Sequence, residues 1–170
     1  MGQYHYIMNS DKREFLHPHK FGDGLKLMEF SMSAPGTMTG LALLLASSNG
    51  PDGRGGGDWH PWLGGPGYEG REVPDDPARC AEVAKLVPGR WAGDRITVVG
   101  DYAEIGDQGV GTFKDVEQDG QDVPDTPFTN EQGWTDISDL VLEALRMDYY
   151  ARQQLPEPVG DGWRQKAGEA

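Results

Sequence analysis

His17 and His19 stand two positions apart in "FLHPHKFGDGLKLMEF", residues 15–30. In an extended strand, residues i and i+2 project to the same face about 7 Å apart, so two imidazoles there can share one metal ion. Asp58 and His60, in "GGGDWHP", offer a third and a fourth ligand from a distant stretch. Such a nitrogen and oxygen set suits zinc or another first-row divalent ion. A competing reading needs no metal. Pro18 has no N–H to give to a ladder, so the strand ends near it, and histidines beside proline and lysine are ordinary surface residues. Gly22-Asp23-Gly24 is then a turn, with Asp23 as N-cap of a short helix over "GLKLMEF". Short ligand motifs over-predict metal sites. The second reading is therefore preferred and no cofactor is expected, with a divalent metal as the alternative.

Other stretches with a chemical look are weaker. "GPDGRGGGDWH" lacks the Gly-Lys-Ser/Thr ending of a phosphate-binding loop, and "GDGLKL" is too short for a dinucleotide fingerprint. Asp94, Asp101 and Glu104 are close in sequence, and neighbouring carboxylates can hold a divalent ion or divide acid and base roles. Asp94 in Ala92-Gly93-Asp94 and Asp101 after Gly100 also have the simpler reading of turn residues. No nucleophile–histidine–acid set can be assembled, and no paired-cysteine zinc motif exists, since Cys80 is the chain's single cysteine. Cys80 lies in "ARCAEVAKL" with no neighbour that would lower its pKa, so it reads as a packed thiol.

Trp59, Trp62 and Tyr68 are the residues least easily explained by structure alone. They sit in "NGPDGRGGGDWHPWLGGPGYEG", residues 49–70, a stretch too rich in glycine and proline to be regular. Loops of this length are usually functional or disordered, and tryptophan and tyrosine are favoured interface anchors.

The elements that must position these residues follow from periodicity and punctuation. Tyr4, Tyr6 and Met8 alternate with His5, Ile7 and Asn9, "SDK" supplies a turn, and "REFLH" returns as a second strand. Thr37 is placed as N-cap of a buried helix over "MTGLALLLASS", and Asp76-Pro77 opens another over "DDPARCAEVAKLV". "LVPGRWAGDRITVVGDYAEI" reads as a second hairpin turning at Ala92-Gly93-Asp94. Residues 106–134 read as a second long loop. "TDISDLVLEALRMDYYARQQL" is the clearest helix, with Ile137, Leu140, Val141, Ala144 and Leu145 on one face and Asp136 or Ser138 as cap. The expected class is α+β: a small antiparallel sheet of two hairpins packed with three to four helices and long loops. Residues 1–155 are expected to form one domain, with 156–170 as a C-terminal tail.

Several of these phrases together resemble a family of small bacterial and phage proteins that has no established activity. They are "YIMNSDKREFLHPHKFGDGLKLMEF", "GRGGGD", "GRWAGDRITVVGDY" and "DIS", spanning roughly residues 3–58 and 87–139. Gly22, Asp23, Gly24, Asp94, Gly100 and Asp101 belong to the phrases that look alike.

Charge narrows the function classes. With 28 acidic and 15 basic residues the net charge is −13, which repels nucleic-acid phosphates and anionic lipids. Direct nucleic-acid binding and membrane association are not expected. "LALLLA" at 41–46 is far short of a bilayer span, and with no signal peptide in "MGQYHYIMNSDKRE" the expected location is the cytoplasm. The leading reading is a non-enzymatic accessory protein that binds a protein or small-molecule partner through Trp59, Trp62 and Tyr68, with Asp23 and Asp101 as further binding candidates. The alternative is a small metal-dependent, hydrolase-like enzyme built on His17, His19, Asp58 and His60. An acidic mimic of nucleic acid ranks third.

Overall fold

The computed structural model describes residues 3–32, 35–46, 76–102, 133–148, 151 and 155. Four strands form one sheet: β1 (His5–Asn9), β2 (Glu14–Leu16), β3 (Ile96–Gly100) and β4 (Thr135–Asp136), in the order β3-β1-β2-β4. A 3-10 turn, η1 (Pro18–Phe21), follows β2. Four α-helices complete the described elements: α1 (Leu27–Ser31), α2 (Thr37–Leu45), α3 (Pro77–Leu86) and α4 (Ser138–Met147). Among the described residues no helix is long and apolar enough to cross a membrane.

The α+β class holds, and the hairpin of β1 and β2 forms as the alternation implies, with Ile7 opposite Leu16 and Met8 opposite Phe15. The sheet differs from two antiparallel hairpins in two respects. Residues 88–95 form a run of turns instead of a strand, so among the described residues β3 has no local partner, and it pairs antiparallel with β1, Ile7 opposite Val98. β4 lies parallel to β2, which makes the sheet mixed.

The run of turns exists because it has other carbonyls to satisfy. The last carbonyls of a helix lack intrahelical partners, and here the Gly89 N–H donates to Leu43 O at 3.0 Å and the Trp91 N–H to Leu44 O at 2.9 Å. Gly89 has φ +73°, and a Cβ there would stand 2.8 Å from the Ala46 carbonyl oxygen. Only glycine suits that place.

Side chains alternate across the sheet. Ile7 and Leu16 face a core shared with Phe21, Phe30, Leu44, Val83, Val87, Trp91, Val141 and Leu145. Tyr6, Met8, Phe15 and Val99 bury on the other face with Trp134, and Leu25 packs there. α2 and α4 meet at Gly40, where an added Cβ would come within 2.7 Å of Val141 Cγ1. α3 is held to α4 by Arg79, whose guanidinium donates two bonds of 2.7 Å to the Glu143 carboxylate. Asp76 caps α3 as its sequence implies, accepting from the Arg79 N–H at 2.9 Å. Cys80 is buried, and burial pushes its thiol pKa up, as for a packed, unreactive sulfur.

Candidate functional site

β2 delivers His17 to the N-terminus of η1, where Pro18 ends the ladder and the His17 side chain takes the cap position. The ring is buried. Its Nδ1 accepts from the His19 N–H at 3.3 Å, so the ring proton of the neutral imidazole sits on Nε2, which lies 3.4 Å from Tyr6 Oη. Burial, followed by the nearby His19 and Lys20 charges, lowers its pKa from 6.5 to about 3. His17 is thus a neutral structural histidine with both nitrogens engaged. A metal would have to displace either a helix cap or the tyrosine contact. His19 is half-buried, its pKa also lowered by burial, with its ring centroid 5.3 Å from that of His17. Asp58 and His60 lie outside the described residues. Among the described residues no three His, Cys, Asp or Glu side chains group closely enough to hold a metal ion.

A buried polar cluster surrounds His17 where η1 meets α4. Its backbone N–H donates to Ser138 Oγ at 2.8 Å, and Ser138 Oγ donates to Asp136 Oδ1 at 2.5 Å. The Ser138 N–H donates to the same Oδ1 at 2.8 Å, so Asp136 does the capping work at the start of α4. Lys20 Nζ lies 2.5 Å from Asp139 Oδ2 and 3.6 Å from Asp136 Oδ2. Burial raises the Asp136 pKa, while Lys20 and Ser138 oppose the rise. Serine, lysine and aspartate in one place resemble a nucleophile with its base, but Ser138 is fully buried, and its oxygen already joins η1 to Asp136. This geometry is a joint between elements.

Asp23 does not cap α1. Its Oδ2 accepts from the Thr37 N–H at 2.8 Å and from Thr37 Oγ1 at 2.7 Å, capping α2 from fourteen residues upstream. The N-terminus of α1 is served instead by Glu29, whose Oε2 accepts from the Lys26 N–H at 3.1 Å. Thr37 itself is fully buried and stands at the first helical position after Gly36. Asp23→Ala is expected to cost about 1–2 kcal/mol, because a cap is lost and a buried hydroxyl gives up its acceptor. Urea denaturation of the variant reads this directly. An unchanged midpoint would contradict the capping role.

Asp101 follows β3, and its N–H donates to Tyr4 O at 3.0 Å, extending the pairing with the N-terminal strand. Its Oδ1 is shielded from solvent and has no hydrogen-bond partner among the described residues. Trp59, Trp62 and Tyr68 lie outside the described residues, as does Glu104.

The residues that sequence reasoning missed join the two phrases noted for their resemblance. Asn9 Nδ2 donates to Asp94 Oδ2 at 2.8 Å, and Lys12 pairs with the same carboxylate. Asp11 accepts from the Arg95 N–H and Nε, both at 2.8 Å. Glu14, buried in β2, receives Arg90 through Nε at 3.0 Å and Nη2 at 2.5 Å, and Trp91 Nε1 at 2.7 Å. "NSDKRE" and "GRWAGDR" are therefore two halves of one clasp. The only signal that could have found it was the presence of opposite charges in both phrases. Comparison with known protein families, with curated proteins and with solved structures finds no match to this chain.

Proposed function

We propose that this chain is a non-enzymatic, cytoplasmic accessory protein that binds a partner through the tryptophan-bearing stretch 49–70, with Trp59, Trp62 and Tyr68 as anchors. The observation that supports this reading is the commitment of polar groups in the fold. His17, Asp23, Glu14, Asp94, Asp136 and Ser138 all hold elements together, which leaves them no free chemistry to offer a substrate. Resemblance to small bacterial and phage proteins is consistent with an accessory role.

Acrylamide quenching of tryptophan fluorescence tests the proposal. Of the other three tryptophans, Trp91 and Trp134 are buried and supply a protected background, and Trp163, outside the described residues, is replaced by phenylalanine in every protein compared. With Trp59→Phe and Trp62→Phe variants to assign the signal, at least one of these two residues is expected to quench as an exposed indole in the isolated monomer. Full protection of both in a monomer would remove the binding reading and leave that stretch as scaffold.

A second reading keeps one observation in its favour, the closeness of the His17 and His19 rings. Under it Asp58 or His60 completes a metal site and the protein is a small hydrolase-like enzyme. Elemental analysis of protein purified without chelator separates the two. A stoichiometric first-row metal, lost in a His19→Ala variant, would reverse their order.

A further inference from the structure

Lysine and aspartate meet out of water where η1 touches β4, and the groups around them are those a condensation reaction needs. The side chain of Lys20 is 7% exposed and that of Asp136 not at all, and Lys20 Nζ lies 3.6 Å from Asp136 Oδ2. That oxygen is shielded from solvent and has no hydrogen-bond partner among the described residues. Oδ1, by contrast, accepts from both the Ser138 N–H and Ser138 Oγ. Because the His17 N–H donates to the same Oγ, the serine hydroxyl proton is directed at Oδ1. One carboxyl oxygen thus sits between two donors, as an oxyanion requires, and the other faces an amine. Asp139 Oδ2, 2.5 Å from Nζ, supplies a proton acceptor. Burial favours the neutral Asp136 carboxyl, the form that can lose water.

We infer that Lys20 and Asp136 join in an isopeptide bond, a covalent clamp between η1 and β4 that the fold makes on itself. Asp139 takes one proton from the Lys20 ammonium and keeps it. Nζ attacks Cγ of the neutral Asp136 carboxyl, and the electron pair of the C=O bond moves to Oδ1, where the two Ser138 donors hold it. As that pair returns, the Cγ–Oδ2 bond breaks. Oδ2 leaves as water with its own proton and one from Nζ, and a single N–H remains on the new amide. Nothing is oxidised or reduced. The dry setting protects the amide from hydrolysis. Once joined, neither group titrates, so the ion pair describes the chain before the bond closes. The clamp ties residue 20 to residue 136 and restricts the unfolded chain as a disulfide would. It is independent of the partner-binding reading.

Mass spectrometry of the full chain tests this. The purified protein, unfolded in denaturant, is expected to weigh one water less than its sequence. Trypsin does not cut after an acylated lysine, so the digest is expected to contain a branched peptide of residues 14–26 joined to residues 115–146. Lys20→Arg keeps a cation beside Asp139 but offers a guanidinium, a poor nucleophile, and is expected to show its full mass. A native chain of full mass would overturn the inference. So would a chain lighter by one water that yields the linear peptides 14–20 and 115–146, because a succinimide at an Asp-Gly pair such as Asp23-Gly24 loses water too. Trp59 and Trp62 take no part in these readouts, so failure here does not touch the tryptophan reading.

Discussion

Replacing Glu14 with alanine is expected to lower the free energy of unfolding by about 3 kcal/mol or more. The partly exposed Arg90 loses its counter-charge, and the buried Trp91 indole N–H is left in the core without its acceptor. Glu14 is the acceptor for both Arg90 and the indole of Trp91, and Trp91 is fully buried in the helix-side core. The Arg90 pKa is raised mainly by its hydrogen bonds to Glu14. Asp11→Ala provides the comparison. It breaks a pair of similar geometry with Arg95, whose side chain is largely exposed, and water and salt take up most of that loss. Urea midpoints for the two variants are expected to differ widely. If Glu14→Ala lost no more than Asp11→Ala, the clasp between β2 and the 88–95 turns would be a surface contact and not part of the core.

Acid is expected to destabilise the fold through His17. The unfolded imidazole takes up a proton near pH 6.5, whereas the folded one resists until about 3. Across that window the unfolded chain holds more protons, so stability is full above pH 6.5 and falls as the pH drops. The slope is about 1.4 kcal/mol per pH unit for one such proton. The half-buried His19, also shifted downward, acts with the same sign. Asp136 acts oppositely, because its raised pKa lets the folded chain bind a proton more tightly than the unfolded one above 3.8, which adds stability on acidification there. Urea denaturation at pH 7, 6 and 5 is expected to show the fall in the native protein and a shallower one in His17→Asn. Asparagine keeps a capping oxygen but does not titrate. Parallel pH profiles for the two proteins would show that His17 titrates normally in the fold.

What the sequence revealed was local. The β1–β2 hairpin follows from strict alternation and a turn, and α3 from Asp76 and Pro77. α4 follows from Val141, Ala144 and Leu145 on one face. The rest depends on partners far away in the chain. β3 reads as half of a local hairpin because "ITVVG" alternates, and nothing in it says that its ladder partner lies some ninety residues earlier. Asp23 sits just before a helix and reads as its cap, but a carboxylate serves whichever N-terminus the fold brings near, and here that is α2. His17 illustrates the same limit. Its spacing from His19 suggests ligands, while the burial that keeps it neutral comes from Tyr6, Ser138 and the elements that carry them. In the sequence Glu14 falls in the returning strand of one hairpin and Arg90 in a strand of a second, and nothing in either phrase indicates that the two side chains meet.

The order β3-β1-β2-β4 has a consequence during synthesis. β1 is an inner strand of the sheet, yet it is made first, and residues 96–100, which close its second edge, follow about ninety residues later. At typical translation rates of about 5–20 residues per second, that edge stays open on the ribosome for roughly 5–20 s. An apolar hairpin with Ile7, Met8, Phe15 and Leu16 and both edges unpaired, since β4 is made later still, is a template for wrong pairing with any neighbouring nascent chain. Slowing translation between residues 16 and 96 is thus expected to lower the yield of folded protein, by lengthening the time that the hairpin stands open.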